Sequence, residues 1–245
     1  MDDERLEWKV RAIAIPAALA LAVAFHAWPL GHMLQRTFLS MIIHELGHAV
    51  TAWWCGFGAL PGLWKTLVPE TRGLVWLMVL ALELGIVVYG WKRARLEIVL
   101  VGLALALLQF AGTRAPIDEA QTWITFGGDG GAMVIGTLLI ACFFVDKLSE
   151  HGLRWGLLVI GAAAFVDTFA TWWSARSDTD VIPFGEIEGV GQSDPSKLQD
   201  VYGWSTTQLV HRYVLLGVAC LVTLAAIYVW SVSRAYLRAR PTEPT

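Results

Sequence analysis

Ser40-Met41-Ile42-Ile43-His44-Glu45-Leu46-Gly47-His48-Ala49-Val50 sets two imidazoles four positions apart, with a carboxylate directly after the first. Four residues make just over one helical turn, so on a helix His44 and His48 share a face and can meet one tetrahedral zinc ion. Glu45 lies about 100° further round and can reach an attacking water. This HExxH spacing makes His44 and His48 candidate metal ligands and Glu45 a candidate general base. The chain has 6 histidines, and random placement would give the pattern only about 0.007 times. A lone histidine in such a run is more often a packing side chain. Here Ile43 and Leu46 flank the polar pair in a run apolar enough for lipid depth, where an ionisable group is costly unless paired or functional. Metal ligation satisfies all three groups at once; a packed polar cluster without metal is the alternative.

Two imidazoles do not complete a catalytic zinc site, which takes three protein ligands and an open position. The third ligand must be a carboxylate or imidazole from elsewhere. His26 and His32 fall near the first membrane interface, and His151 and His211 fall at loop borders, as ordinary headgroup-level residues do. Glu83 and Asp167 lie inside apolar runs, so either can face a cavity. Asp129 has a local case of its own, in Thr125-Phe126-Gly127-Gly128-Asp129-Gly130-Gly131. Glycines on both sides let a backbone turn sharply and approach closely, and irregular backbone is tolerated at membrane depth where it lines a cavity. The competing assignment is a helix N-cap, which aspartate fills well.

The elements that must position these groups are membrane helices. Of 245 residues, 56% are hydrophobic, and the mean hydropathy is +0.55, more apolar surface than one soluble core can hide. Runs of about 20 apolar residues, the length that crosses hydrocarbon, occupy 10–30, 37–57, 73–91, 96–112, 129–145, 153–174 and 209–232. The expected fold is all-α, a polytopic membrane helix bundle with about seven transmembrane helices, within a range of six to eight. Trp28, Trp53, Trp54, Trp91, Trp155, Trp172, Trp173 and Trp230 fall near run ends, where amphipathic rings favour the interface. Ala22-Val23-Ala24 offers a signal-peptide cleavage pattern, but Asp2, Asp3, Glu4 and Glu7 outnumber Arg5 and Lys9, so the first run is expected to be retained as a span.

No repeat or soluble-domain segment interrupts the chain, so 1–245 is expected to form one membrane domain with its catalytic core at about 37–145. The longest polar stretch, 175–208, carries Asp178, Asp180, Glu186, Glu188, Asp194 and Asp200 with Pro183, Gly185, Gly189, Gly191 and Pro195. It is too short for a domain, though long enough to fold over a cavity mouth. With seven spans, Lys92, Arg93 and Arg95 share a side with Arg234, Arg238 and Arg240, opposite Arg5, Lys9 and Arg11. This favours a cytoplasmic carboxyl terminus in a multi-pass protein of the cell membrane. Cys55, Cys142 and Cys220 form no CxxC pair and are expected to pack in the core. The net charge of −3 comes without a basic, aromatic-laced stretch, which excludes nucleic acid as a partner.

His44-Glu45-Leu46-Gly47-His48 in a membrane segment, followed by a later Asp129-Gly130, resembles the intramembrane zinc metalloproteases of the site-2 protease family. The resemblance covers about 37–145. It implies that His44, His48 and Asp129 hold one zinc ion per chain, that Glu45 is the catalytic base, and that the substrate is a membrane protein cut in or near a transmembrane segment. One departure stands out: where many members have Asn-Pro before the Asp-Gly motif, this chain has Phe126-Gly127-Gly128, without that substrate-positioning amide. Three other readings use the same residues: a zinc hydrolase of a lipid amide or ester, a catalytically silent metal-binding relative, and a metal transporter conducting along His44, Glu45, His48, Glu83 and Asp167.

Overall fold

In lipid only a helix or a closed barrel satisfies every backbone N–H and C=O internally, and the apolar runs fold accordingly as helices. A computed structural model describes residues 2–149, 152–187 and 191–239. His151, Glu188, Gly189 and Arg240, named above, lie outside the described residues. The chain is all-α, with ten α-helices among the described residues: α1 (Asp2–Ala27), α2 (Pro29–Gln35), α3 (Met41–Trp54), α4 (Val75–Lys92), α5 (Leu96–Arg114), α6 (Ile117–Ala141), α7 (Asp146–Ser149), α8 (Leu153–Ser174), α9 (Asp194–Asp200) and α10 (Thr206–Ala239). One small antiparallel hairpin joins β1 (Glu186–Ile187) to β2 (Gly191–Gln192).

Among the described residues, six stretches are long and apolar enough to cross a membrane: Leu6–Ala27, Val75–Lys92, Leu96–Arg114, Ile117–Phe144, Leu153–Ser174 and Thr206–Ala239. The run 37–57 is not among them. Trp28 is extended ahead of Pro29, which opens α2, and a π-helical stretch at Arg36–Ser40 then carries the chain into α3. At 14 residues, α3 is about 21 Å long, short of the hydrocarbon thickness. It stops in a Schellman turn, with Gly56 at φ +87°, the Phe57 amide bonded to the Ala52 carbonyl and the Gly56 amide to the Trp53 carbonyl.

A second departure concerns Gly127–Gly131, which is not a turn. These residues lie inside the continuous helix α6, and none of Gly127, Gly128, Gly130 and Gly131 has positive φ. The glycines serve close helix approach instead, as small residues spaced by four do between membrane helices. A Cβ added to Gly47 would lie 2.9 Å from the Gly128 carbonyl oxygen and from Gly131 Cα. Asp129, in mid-helix, is therefore not an N-cap.

The chain divides into two compact units. One comprises the chain up to Ile43, Ala132–Pro183, and the segment from Ser205 onward. In it, Arg154 at the start of α8 holds Glu7 of α1 at 2.7 and 3.2 Å, Tyr228 of α10 donates to the Ala12 carbonyl at 2.7 Å, and Trp172 stacks on Tyr213 at 4.1 Å. The other comprises His44–Gly131 and Phe184–Trp204. Its core gathers Ala49, Ala52, Phe57, Ala59, Ala120 and Ile124. Arg72 caps two helix ends there, donating to the carbonyls of Cys55, Gly112 and Ala115.

Candidate metal centre

The candidate site lies wholly within this second unit, and α3 builds its floor. His44 and His48 share a face as the spacing requires, their ring centroids 4.8 Å apart and their planes near perpendicular at 87°. The other helix supplies what fixes the rings. His48 Nδ1 lies 2.7 Å from the Ile124 carbonyl oxygen of α6. A carbonyl only accepts, so Nδ1 carries the hydrogen and Nε2 presents a lone pair. His44 Nδ1 lies 2.9 Å from Asp129 Oδ1, and an ionised carboxylate likewise only accepts. Both Nε2 atoms are thereby turned inward as acceptors.

They point at one place. The two Nε2 atoms are 3.2 Å apart, and Asp194 Oδ2 sits 3.1 Å from that of His44 and 2.9 Å from that of His48. With both rings neutral, the form metal binding requires, three lone pairs converge here. Ligands at 2.0–2.1 Å on a tetrahedral ion stand about 3.3 Å apart, so the donor set and its spacing fit zinc.

Asp194 is delivered by the last part of the polar stretch. The hairpin β1–β2 returns the chain to Ser193, whose amide bonds the Gly185 carbonyl at 2.8 Å, and the Ser196 hydroxyl accepts the Gly185 amide at 2.8 Å. Pro195 stands in the first turn of α9, where Pro195 and Leu198 are buried. Trp204 packs on Phe126 of α6 with ring centroids 5.7 Å apart. Glu45 is only 4% exposed. Thr66, on a loop pinned by mutual backbone bonds between Leu60 and Leu67, has its hydroxyl 2.7 Å from Glu45 Oε2 and 2.8 Å from the Glu45 carbonyl oxygen.

Of the residues singled out in the sequence, His44, His48 and Asp129 are brought together, with Asp129 at the outer nitrogen of His44. Glu83 is buried in α4 with neither carboxylate oxygen hydrogen-bonded among the described residues, and His211 is exposed. Asp167 gathers with His26 and His32 in a separate group. Asp194 and Thr66 were not legible as site residues. The one trace of Asp194 is Ser193-Asp194-Pro195, a helix-start pattern within an acidic loop, which by itself signals no ligand. No family model matches the chain, and no curated protein or solved structure matches it significantly.

Proposed function

We propose that the protein is a zinc-dependent intramembrane peptidase, with His44, His48 and Asp194 as the zinc ligands and Glu45 as the general base. The observation that carries this reading is the convergence of three lone pairs at 2.9–3.2 Å while both outer imidazole nitrogens are engaged by acceptors. It assigns Asp129 to hold His44 in its ligating tautomer, the carboxylate–histidine–zinc arrangement, and the third ligand to Asp194. The resemblance of the HExxH and Asp-Gly motifs to the site-2 protease family supports a peptide substrate. In this reading α3 with the π-helical stretch before it is the seventh membrane segment, and the protein is multi-pass in the cell membrane.

When bound, zinc supplies a Lewis acid that polarises a scissile carbonyl and brings the pKa of water to about 7. The residues of the chain do the rest. Glu45 takes the proton of the attacking water on its carboxylate and returns one to the leaving amine. Thr66 holds that carboxylate through Oε2, and α6 keeps both rings aimed by its carbonyl at Ile124 and its carboxylate at Asp129. A substrate helix has its carbonyls hydrogen-bonded, so it must unwind locally before attack; helix-weakening residues near the cut are expected.

The test is Glu45→Gln beside His48→Ala, both assayed for metal content and for cleavage of a membrane-protein substrate. Glu45→Gln should retain zinc and lose hydrolysis by about 10²–10⁴-fold, the usual share of general base catalysis. His48→Ala should lose both. Wild-type cleavage by Glu45→Gln, or an absence of zinc uptake by the wild type, overturns the reading.

A further inference from the structure

A second set of ligating side chains meets within the other unit, where α1 ends, α2 begins and α8 passes. Asp167 of α8 is fully buried, at 0% exposure, in a helix apolar enough to cross a membrane. A carboxylate in that position is costly unless paired or functional. Its own oxygens are paired, but one ring nitrogen beside them is not. Arg36 Nη1 donates to Oδ2 at 3.1 Å, and His32 Nε2 lies 2.8 Å from Oδ1. The third neighbour, His26 Nδ1, stands 3.6 Å from Oδ1, beyond hydrogen-bond length. That nitrogen is buried and has no hydrogen-bond partner among the described residues, a rare condition for a polar atom. Its ring faces that of His32 at a centroid distance of 4.3 Å.

A separation too long for a hydrogen bond is close to the about 3.3 Å that separates two ligands of one tetrahedral ion. We propose that His26 Nδ1, His32 Nε2 and Asp167 Oδ1 form a second metal site, for a divalent cation of the zinc and cobalt class that two imidazoles and one carboxylate select. Arg36 then plays the part that hydrogen-bond donors play on ligating carboxylates, occupying Oδ2 and leaving Oδ1 to the ion. Its positive charge also sets the rank of the two sites. Here one carboxylate is already paired with a guanidinium, whereas the α3 centre has Asp194 directly on the imidazole nitrogens and Asp129 behind His44. The second site is the weaker, and it empties first under a chelator.

The full-length protein in detergent, stripped of metal and titrated with Co²⁺ or Zn²⁺, should take up two equivalents, the second released first on chelation. Co²⁺ should give two distinct saturation steps in its visible spectrum. His32→Gln and Asp167→Asn should each take up one equivalent and retain the tighter step, while His48→Ala should retain the weaker one. His32 is 38% exposed at its side chain, so His32→Gln remains informative if Asp167→Asn fails to fold. A single step in the wild type that His48→Ala abolishes and His32→Gln leaves intact overturns this second site alone. A single step with the opposite pattern overturns the proposed catalytic centre and leaves the second site standing.

Discussion

Asp194 and Asp129 differ in which nitrogen they touch, and that difference has a measurable size. Asp194 Oδ2 lies 3.1 and 2.9 Å from the two inward Nε2 atoms, whereas Asp129 Oδ1 lies 2.9 Å from the outward Nδ1 of His44. Structural zinc sites bind with about 10–16 kcal/mol over four ligands, or about 2.5–4 kcal/mol per ligand. Asp194→Asn should therefore weaken zinc binding by about 100- to 1000-fold, at 1.36 kcal/mol per decade. Asn at position 129 can still accept the His44 Nδ1 hydrogen through its amide oxygen, so Asp129→Asn should weaken binding by the about 10- to 100-fold typical of a partner behind a ligand. Competition with a chromophoric chelator measures both constants. The visible spectrum of the Co²⁺ form adds a readout that affinity alone lacks: removing a ligand alters it, removing a ring's outer partner leaves its form unchanged. A larger loss in Asp129→Asn than in Asp194→Asn, with the spectrum altered only in the former, would refute the assignment and restore Asp129 as third ligand.

Thr66→Val should lower hydrolysis by about 10- to 100-fold, the worth of a hydrogen bond to a charged group, with zinc content unchanged and Thr66→Ser restoring the rate. If Thr66→Val cleaves at the wild-type rate, the hydroxyl does not position Glu45. Gly128→Ala should abolish zinc binding, because its Cβ would stand 2.5 Å from His48 Nε2, while Gly85→Ala, with no neighbour within 4 Å, should leave zinc content and Tm unchanged. Acidification should release zinc, because protons compete with the ion for the inward nitrogens of His44 and His48. Below neutrality zinc affinity should fall by more than tenfold per pH unit, and a slope of one proton or fewer per zinc would exclude a two-imidazole set.

What the sequence made legible was what local spacing or solvent dictates. Six apolar runs were readable because lipid fixes the length of a helix that crosses it, and His44, Glu45 and His48 because a ligand pair four residues apart needs nothing beyond one turn of α3. The run 37–57 is less regular than its composition suggests, since composition does not register the π-helical stretch at Arg36–Ser40 or the left-handed Gly56 that ends α3. Gly127–Gly131 misled because glycine has two uses, positive φ in turns and absent side chains at helix contacts, and flanking sequence does not separate them. Asp194 was illegible for a different reason: its role depends on a hairpin and a two-turn helix folding back onto α3, a contact between distant segments that no periodicity encodes.

The glycines of α6 and the histidines of α3 are one device. In an α-helix the carbonyl of residue 124 already accepts from the amide of residue 128, and the side chain at 128 would normally crowd the approach to it. With glycine there, the His48 ring can come close enough for Nδ1 to reach the Ile124 oxygen at 2.7 Å, using the carbonyl's second lone pair. A Cβ at 128 would meet His44 Cε1 at 2.6 Å and His48 Cε1 at 2.6 Å, so the same absence admits both rings. Asp129 follows directly in the chain and turns the corresponding grip on His44. One helix therefore engages both outer nitrogens, and both Nε2 atoms are turned inward. The Asp194 carboxylate comes from a separate segment, so α9 closes against a pair of rings that α3 and α6 have already aimed.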